Sequence, residues 1–241
     1  MSDEARRPAD TLIAFGSNLG DSPSLYQRAA ELLMEAFDTK VRCSQPVTTE
    51  PIGGPAGQME YLNGVFRVST DLPPDRVHQT LISIEDQLGR QRRERWSARS
   101  VDLDLLLIGQ AVIDMATLQL PHPRMSFRRF VLEPAAEVAP EMVHPICGLT
   151  ISALLDRINR PDHQLIWLTD NPNQTSKLVA SVSRLSDWQV HFEWADVEMV
   201  KLVVLESDPP SFPVGAPVLD LRGMSESEKQ IQLAAAIQAI Q

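Results

Sequence analysis

The chain has 241 residues, with 22 Lys+Arg against 32 Asp+Glu and a formal charge of −10. A nucleic-acid or anionic-membrane binder needs a basic surplus to release phosphate counterions, so neither is expected as a partner. Hydrophobic residues at 43% and charged residues at 22% make an ordinary globular composition, long enough for one domain plus a smaller one. Residues 1–10 are polar and read as a loose tail. Residues 11–17 (TLIAFGS) form an apolar run that predicts a buried strand, and 25–37 carries helical spacing of Leu25, Ala29, Leu32, Leu33 and Ala36. A strand is expected over 40–47 and a Gly/Pro-rich loop over 51–57. Residues 62–70 alternate as a strand. A helix over 74–88 starts with Pro74 in its first turn and ends at Gly89. After an arginine-rich loop, 101–108 (VDLDLLLI) predicts another strand. The order β-α-β-β-α-β is that of an α+β, ferredoxin-like fold, with an antiparallel sheet and helices on one face.

Residues 120–124 (LPHPR) read as a turn, 149–158 as a closing helix and 159–162 as a boundary. Beyond it, strands are expected over 165–169, 189–194, 200–205 and 218–221. Helices are expected over 175–185 and from Ser225, where Glu228 three residues on completes a capping box. The predicted organisation is a tail (1–10), a first domain (11–159) and a small α/β domain (160–241).

The charge is unevenly distributed. Arg90, Arg92, Arg93, Arg95 and Arg99 crowd ten positions with a single acid, Glu94. Arginine's planar, permanently charged fork suits phosphate. An ordinary solvated charge run is the alternative, but Trp96 lies within the segment, where a solvated loop has little use for a large ring. Just after it, Asp102 and Asp104 occupy alternate positions of an apolar strand and so share a face. Two carboxylates among leucines are costly unless paired or bound to cations, and Mg²⁺ takes carboxylates together with phosphate oxygens. The same pair also fits a solvent-facing strand edge. His122, between Pro121 and Pro123, suits either a phosphate contact or a structural hydrogen bond. Tyr61 and Phe130 taken alone read as core, and Asn63 can offer donor and acceptor to a heterocycle edge. No G-x-x-x-x-G-K-[ST] or G-x-G-x-x-G segment occurs, so a nucleotide here would be held by arginines and metal.

Four motifs in order resemble the 6-hydroxymethyl-7,8-dihydropterin pyrophosphokinases of folate biosynthesis, over about residues 11–158. They are GSNLGD at 16–21, TEPIGG with YLN in 49–63, GRQRRERWSARSVDLDLL at 89–106, and LPHPRMSFRRFVLEP at 120–134. The resemblance implies Mg-dependent transfer of pyrophosphate from ATP to the pterin hydroxymethyl group, with release of AMP. It implies two Mg²⁺ ions on Asp102 and Asp104, which with Arg90 and Arg99 form the catalytic set. It implies a pterin ring between Tyr61 and Phe130, its polar edge read by Asn63 and the backbone at Thr49, Ile52 and Gly53, with Trp96 on a loop that closes over it. It implies ATP contacts from Arg90, Arg92, Arg99, His122 and Arg128, with Glu85 lining the nucleotide side. The chain departs from the family's usual Arg-Trp-Gly-Pro-Arg-Thr at Ser97, Ala98 and Ser100, and the loss of Gly and Pro at the first two should alter how freely that loop swings.

Two other classes fit parts of the pattern: a metal-dependent phosphodiesterase using the acid pair, and a non-catalytic ferredoxin-like regulatory module. Residues 160–241 carry no comparable motif. Their expected roles are homodimerisation, partner docking or packing on the first domain, with Trp167, Trp188 and Trp194 in a core. Cys43 and Cys147 are too few for a disulfide framework or a thiolate zinc site. They are expected as buried apolar side chains in a reducing cytoplasm.

Overall fold

In the computed structural model, which describes residues 7–52, 57–90, 100–182, 185–192, 200–208 and 215–240, the longest pairings converge on β1 (Ala9–Ser17). It lies antiparallel between β4 (Tyr61–Thr70) and β5 (Asp102–Ile108). Side chains alternate between the faces of a strand, so Ile13 and Phe15 point one way, with Phe66, Val68, Leu103 and Leu105. Two helices cover that face: α1 (Ser22–Phe37), through Tyr26, Ala29, Leu32 and Leu33, and α2 (Pro74–Gln87), through Val77, Leu81 and Ile84. Asp21 caps α1 by accepting from the Ser24 N–H at 3.1 Å. The chain leaves α2 through Gly89 at φ +77°, a conformation only glycine adopts cheaply.

The strand expected over 40–47 is two short ones, β2 (Arg42–Cys43) and β3 (Val47–Thr49), both paired to β4. The break has a local cause. The Gln45 N–H donates to the Glu137 carboxylate at 2.7 Å instead of to the ladder, and Pro46 has no N–H to give. Next to the break, the Ser44 hydroxyl accepts from the Val65 N–H at 3.0 Å, and the Tyr26 hydroxyl donates to the Ser44 carbonyl at 2.9 Å. Burial pushes the Tyr26 hydroxyl up to about 12, so it stays a donor. The expectation that both cysteines are buried holds for Cys147 only. Cys43 is exposed on the short strand β2. The first sheet has the order β2-β4-β1-β5, with β3 also on β4.

Its second face is covered as well. Leu12, Val65 and Leu106 meet a single 3-10 turn (Met125–Phe127), α3 (Arg129–Val138) and α4 (Ile151–Ile158). A small hairpin, β6 (Ile113–Met115) with β7 (Leu118–Leu120), precedes a cis Leu120–Pro121 bond. The His122 N–H then donates to the Leu106 carbonyl at 2.9 Å, fastening this turn to β5.

The remaining strands form an all-parallel sheet of order β11-β10-β8-β9. They are β8 (Gln164–Leu168), β9 (Gln189–His191), β10 (Leu202–Leu205) and β11 (Val218–Asp220). Parallel strands are buried on both faces, and β10 is buried throughout. Of the strand expected over 189–194, residues 193 and 194, including Trp194, lie outside the described residues. The helix expected over 175–185 runs earlier, as α5 (Pro172–Ser181). The last helix, α6 (Glu226–Ile240), has its expected capping box: the Ser225 N–H donates to Glu228 at 2.9 Å. Trp167 and Trp188 are buried. One hydrophobic cluster joins Leu12, Val65, Leu132 and Leu154 to Trp167, Val204, Leu233 and Ile237, so the second sheet and α6 pack directly on the first. No helix among the described residues is long and apolar enough to cross a membrane.

Candidate active site

Three strands bring polar residues into one row. Asn63 on β4 and Asp102 on β5 both lie opposite Gly16 on β1, and Asp104 lies opposite Ala14. Tyr61, two residues before Asn63, lies opposite Thr49 on β3. Directly opposed residues share a face, so Thr49, Tyr61, Asn63, Asp102 and Asp104 all project from the side that bears α3. Between them Gly16 and Ala14 have little or no side chain. The result is an open cleft, with Arg128, Phe130 and Val131 from the start of α3 as a second wall.

The charges inside it are organised. Asp102 pairs with Arg90 at 2.9 Å, and Arg90 also pairs with Glu85. Glu85 is only 3% exposed and accepts from the Leu103 N–H at 2.7 Å. Burial pushes its carboxyl above the usual range, against the opposing pull of that N–H and of Arg90. Glu85 therefore anchors the arginine and the strand bearing the acid pair. Asp104 is the more open acid, its side chain 44% exposed and its Oδ2 4.0 Å from the His122 Nε2. His122 Nδ1 accepts from the Arg124 N–H at 3.2 Å, which leaves the proton on Nε2. Burial first, then Arg128 and Arg124, lowers His122 to about 3, so at neutral pH it is an uncharged Nε2–H donor. The Arg128 guanidinium lies 5.4 Å over the Phe130 ring, a cation–π contact between two residues that line the cleft. Asn63 donates to the Thr49 hydroxyl at 2.9 Å, fixing its amide orientation.

The family model of 7,8-dihydro-6-hydroxymethylpterin-pyrophosphokinase (HPPK) matches residues 12–140, a span that includes every strand and both acids of this row. The chain belongs to the HPPK family. A 2-amino-4-hydroxy-6-hydroxymethyldihydropteridine pyrophosphokinase of Synechocystis sp. is 38% identical over 157 residues, 65% of this chain and 78% of the relative. One from Haemophilus influenzae is 34% identical over 65% of this chain and 96% of its own length. The crystal structure of Plasmodium falciparum HPPK-DHPS wild type superposes with a TM-score of 0.50 at 10% identity, over 86% of this chain and 58% of that one. At that identity the likeness concerns fold alone, and it agrees with an α+β architecture.

Eight of the residues expected from the HPPK resemblance line the cleft: Thr49, Ile52, Tyr61, Asn63, Asp102, Asp104, Arg128 and Phe130. Arg90 and His122, each with about a fifth of its side chain exposed, flank the acid pair, and Glu85 lies buried beside Arg90. The Glu85 oxygens serve Leu103 and Arg90. Gly53, Arg92, Trp96 and Arg99 lie outside the described residues. The sequence reading missed Gln58 and Arg124, and above all Leu219, Gln232, Ala235, Ala236 and Ala239. Arg124 falls within the LPHPR turn and was legible there. The α6 residues gave no local signal, because only the chain's return across the first sheet brings them to the site.

Proposed function

We infer that this cleft transfers pyrophosphate from ATP to the hydroxymethyl group of 6-hydroxymethyl-7,8-dihydropterin, yielding the pterin diphosphate and AMP for folate biosynthesis. The observation that carries this is the meeting, in one cleft, of an acid pair backed by an arginine with two aromatic side chains and a fixed amide. The hydroxymethyl oxygen attacks the β-phosphorus, the bond from that phosphorus to the oxygen bridging the α-phosphate breaks, and AMP leaves. The hydroxyl proton passes to solvent. No side chain is covalently modified, so the work is positioning and charge neutralisation.

Each side chain then has a task. Tyr61 and Phe130 enclose the flat ring, and Asn63, with the backbone at Thr49, Ile52 and Gly53, reads its polar edge. His122 donates its Nε2–H, and Arg90, Arg128, Arg92 and Arg99 offset phosphate charge. Trp96 closes the pterin side. The acid pair fits Mg²⁺: both carboxylates line the cleft, and no group of three or more His, Cys, Asp or Glu forms a complete cage among the described residues. That donor set suits ions completed by substrate phosphates. When bound, such ions polarise the phosphoryl oxygens and neutralise the leaving group. Asp102 would share its charge between that cation and Arg90.

The strand order β2-β4-β1-β5 supports a ferredoxin-like assignment for residues 11–159, with 160–241 as a second unit. A cytoplasmic setting is consistent with two free cysteines. Homodimerisation through the second unit has less to work with, since Leu233, Ala236, Ile237 and Ile240 of α6 are already buried within the chain. The deciding assay combines ATP, Mg²⁺ and the pterin and follows both products. AMP formed equally without pterin would point instead to the phosphodiesterase reading.

A further inference from the structure

Four residues of α6 face the cleft: Gln232, Ala235, Ala236 and Ala239. Their spacing of three, four and seven puts them on one helical stripe. Leu219, at β11, lines the same cleft. The cavity built around the acid pair is therefore closed on one side by the second half of the chain.

This wall is firmly seated. Leu233, Ile237 and Ile240, on the adjoining stripe, are buried in the cluster that also holds Phe127, Val131 and Leu132. The Arg129 guanidinium, next to Phe130, donates to the Ile240 carbonyl at 3.3 Å and to the Ile158 carbonyl at 3.4 Å, tying the end of α6 to the start of α3. The Gln238 amide donates to the Pro51 carbonyl at 3.3 Å, so α6 also holds the segment carrying Pro51 and Ile52, which line the cleft themselves.

The composition of the stripe suits a flat ligand. Three alanines keep the wall smooth and leave the volume open, where larger side chains would fill it. Gln232 is the one polar group that α6 contributes, and it offers both a donor and an acceptor. We propose that α6 is the specificity wall of the pterin subsite, with its alanine stripe lying along the ring and Gln232 reading a polar edge. This rests on the functional reading above. It gives residues 160–241 a direct part in substrate selection, which local sequence cannot reveal.

The test uses the full-length chain. Wild type, Gln232→Ala, Ala235→Trp and the solvent-facing control Ile231→Trp (Ile231 is 56% exposed) are compared for AMP release and for pterin binding by calorimetry. The expected result is a KM for the pterin raised about tenfold or more in Ala235→Trp and severalfold in Gln232→Ala. The KM for ATP should stay within about twofold in both, and the control should match wild type. If Ala235→Trp does not fold, Gln232→Ala decides alone, since its side chain is only partly buried. A turning-over wild type whose folded variants keep the wild-type pterin KM would overturn the wall and leave the functional reading intact. A wild type that releases no AMP with the pterin would overturn the functional reading, and the wall with it.

Discussion

At the residue scale, the two acids divide their surroundings unequally. Asp102 is held by Arg90, whereas the Asp104 side chain is 44% exposed, with the neutral His122 Nε2 4.0 Å from its Oδ2. Asp102→Ala or Asp104→Ala should each lower kcat by at least about 10²-fold, the loss typical of removing one transition-state electrostatic group. Steady-state AMP release would show this, and near-normal turnover in either variant would remove the metal assignment. Glu85 is buried and bonded to Arg90 and the Leu103 N–H, and Glu85→Ala should reduce turnover about 10- to 100-fold by releasing Arg90 and the β5 backbone. An unchanged kcat in a folded variant would count against that positioning role. His144 supplies a pH effect on stability. Burial lowers it to about 4. Between its ordinary value near 6.5 and about 4 the unfolded chain binds a proton that the folded chain does not, so stability falls as pH falls through that window. Replacing it in His144→Asn, whose carbonyl can still accept from the Cys147 N–H, should flatten the decline of Tm between pH 6.5 and 4. Equal slopes for the two proteins would contradict this.

At the scale of elements, the first sheet depends on one close approach. A Cβ on Gly64 would lie 2.5 Å from Tyr26 Cε2. That ring cannot retreat, because it stacks on Phe66 at 4.6 Å and its hydroxyl is bonded to Ser44. Gly64→Ala should therefore cost about 1–3 kcal/mol in denaturant unfolding, the usual range for overpacking. A neutral outcome would mean that α1 can slide on the sheet. The same clamp holds Ser44 at the break between β2 and β3, and the break lets β3 pair with the Tyr61 end of β4 beside the cleft.

At the scale of the molecule, the two sheets share one core, so they should not melt separately. Tryptophan fluorescence and calorimetry should report a single transition, and Ile237→Ala, far in sequence from the first sheet, should lower the unfolding free energy of the whole by roughly 2–5 kcal/mol. Two resolved transitions would show that the shared cluster does not couple the halves.

The sequence by itself determined the order of the first-sheet elements and the acid pair. A strand's alternation puts Asp102 and Asp104 on one face wherever the strand packs, and the Ser225–Glu228 box starts α6 from local chemistry alone. It also carried the family motifs, and with them most of the cleft lining. Contacts between residues far apart in sequence were settled only by the tertiary structure. These include the break at Ser44, made by the Glu137 carboxylate, the exposure of Cys43 and the anchoring role of Glu85. The α6 wall is the extreme case. An alanine stripe has no chemical signature of its own, and it lines the cleft because burying Leu233, Ile237 and Ile240 in the shared core turns its other stripe toward the acid pair.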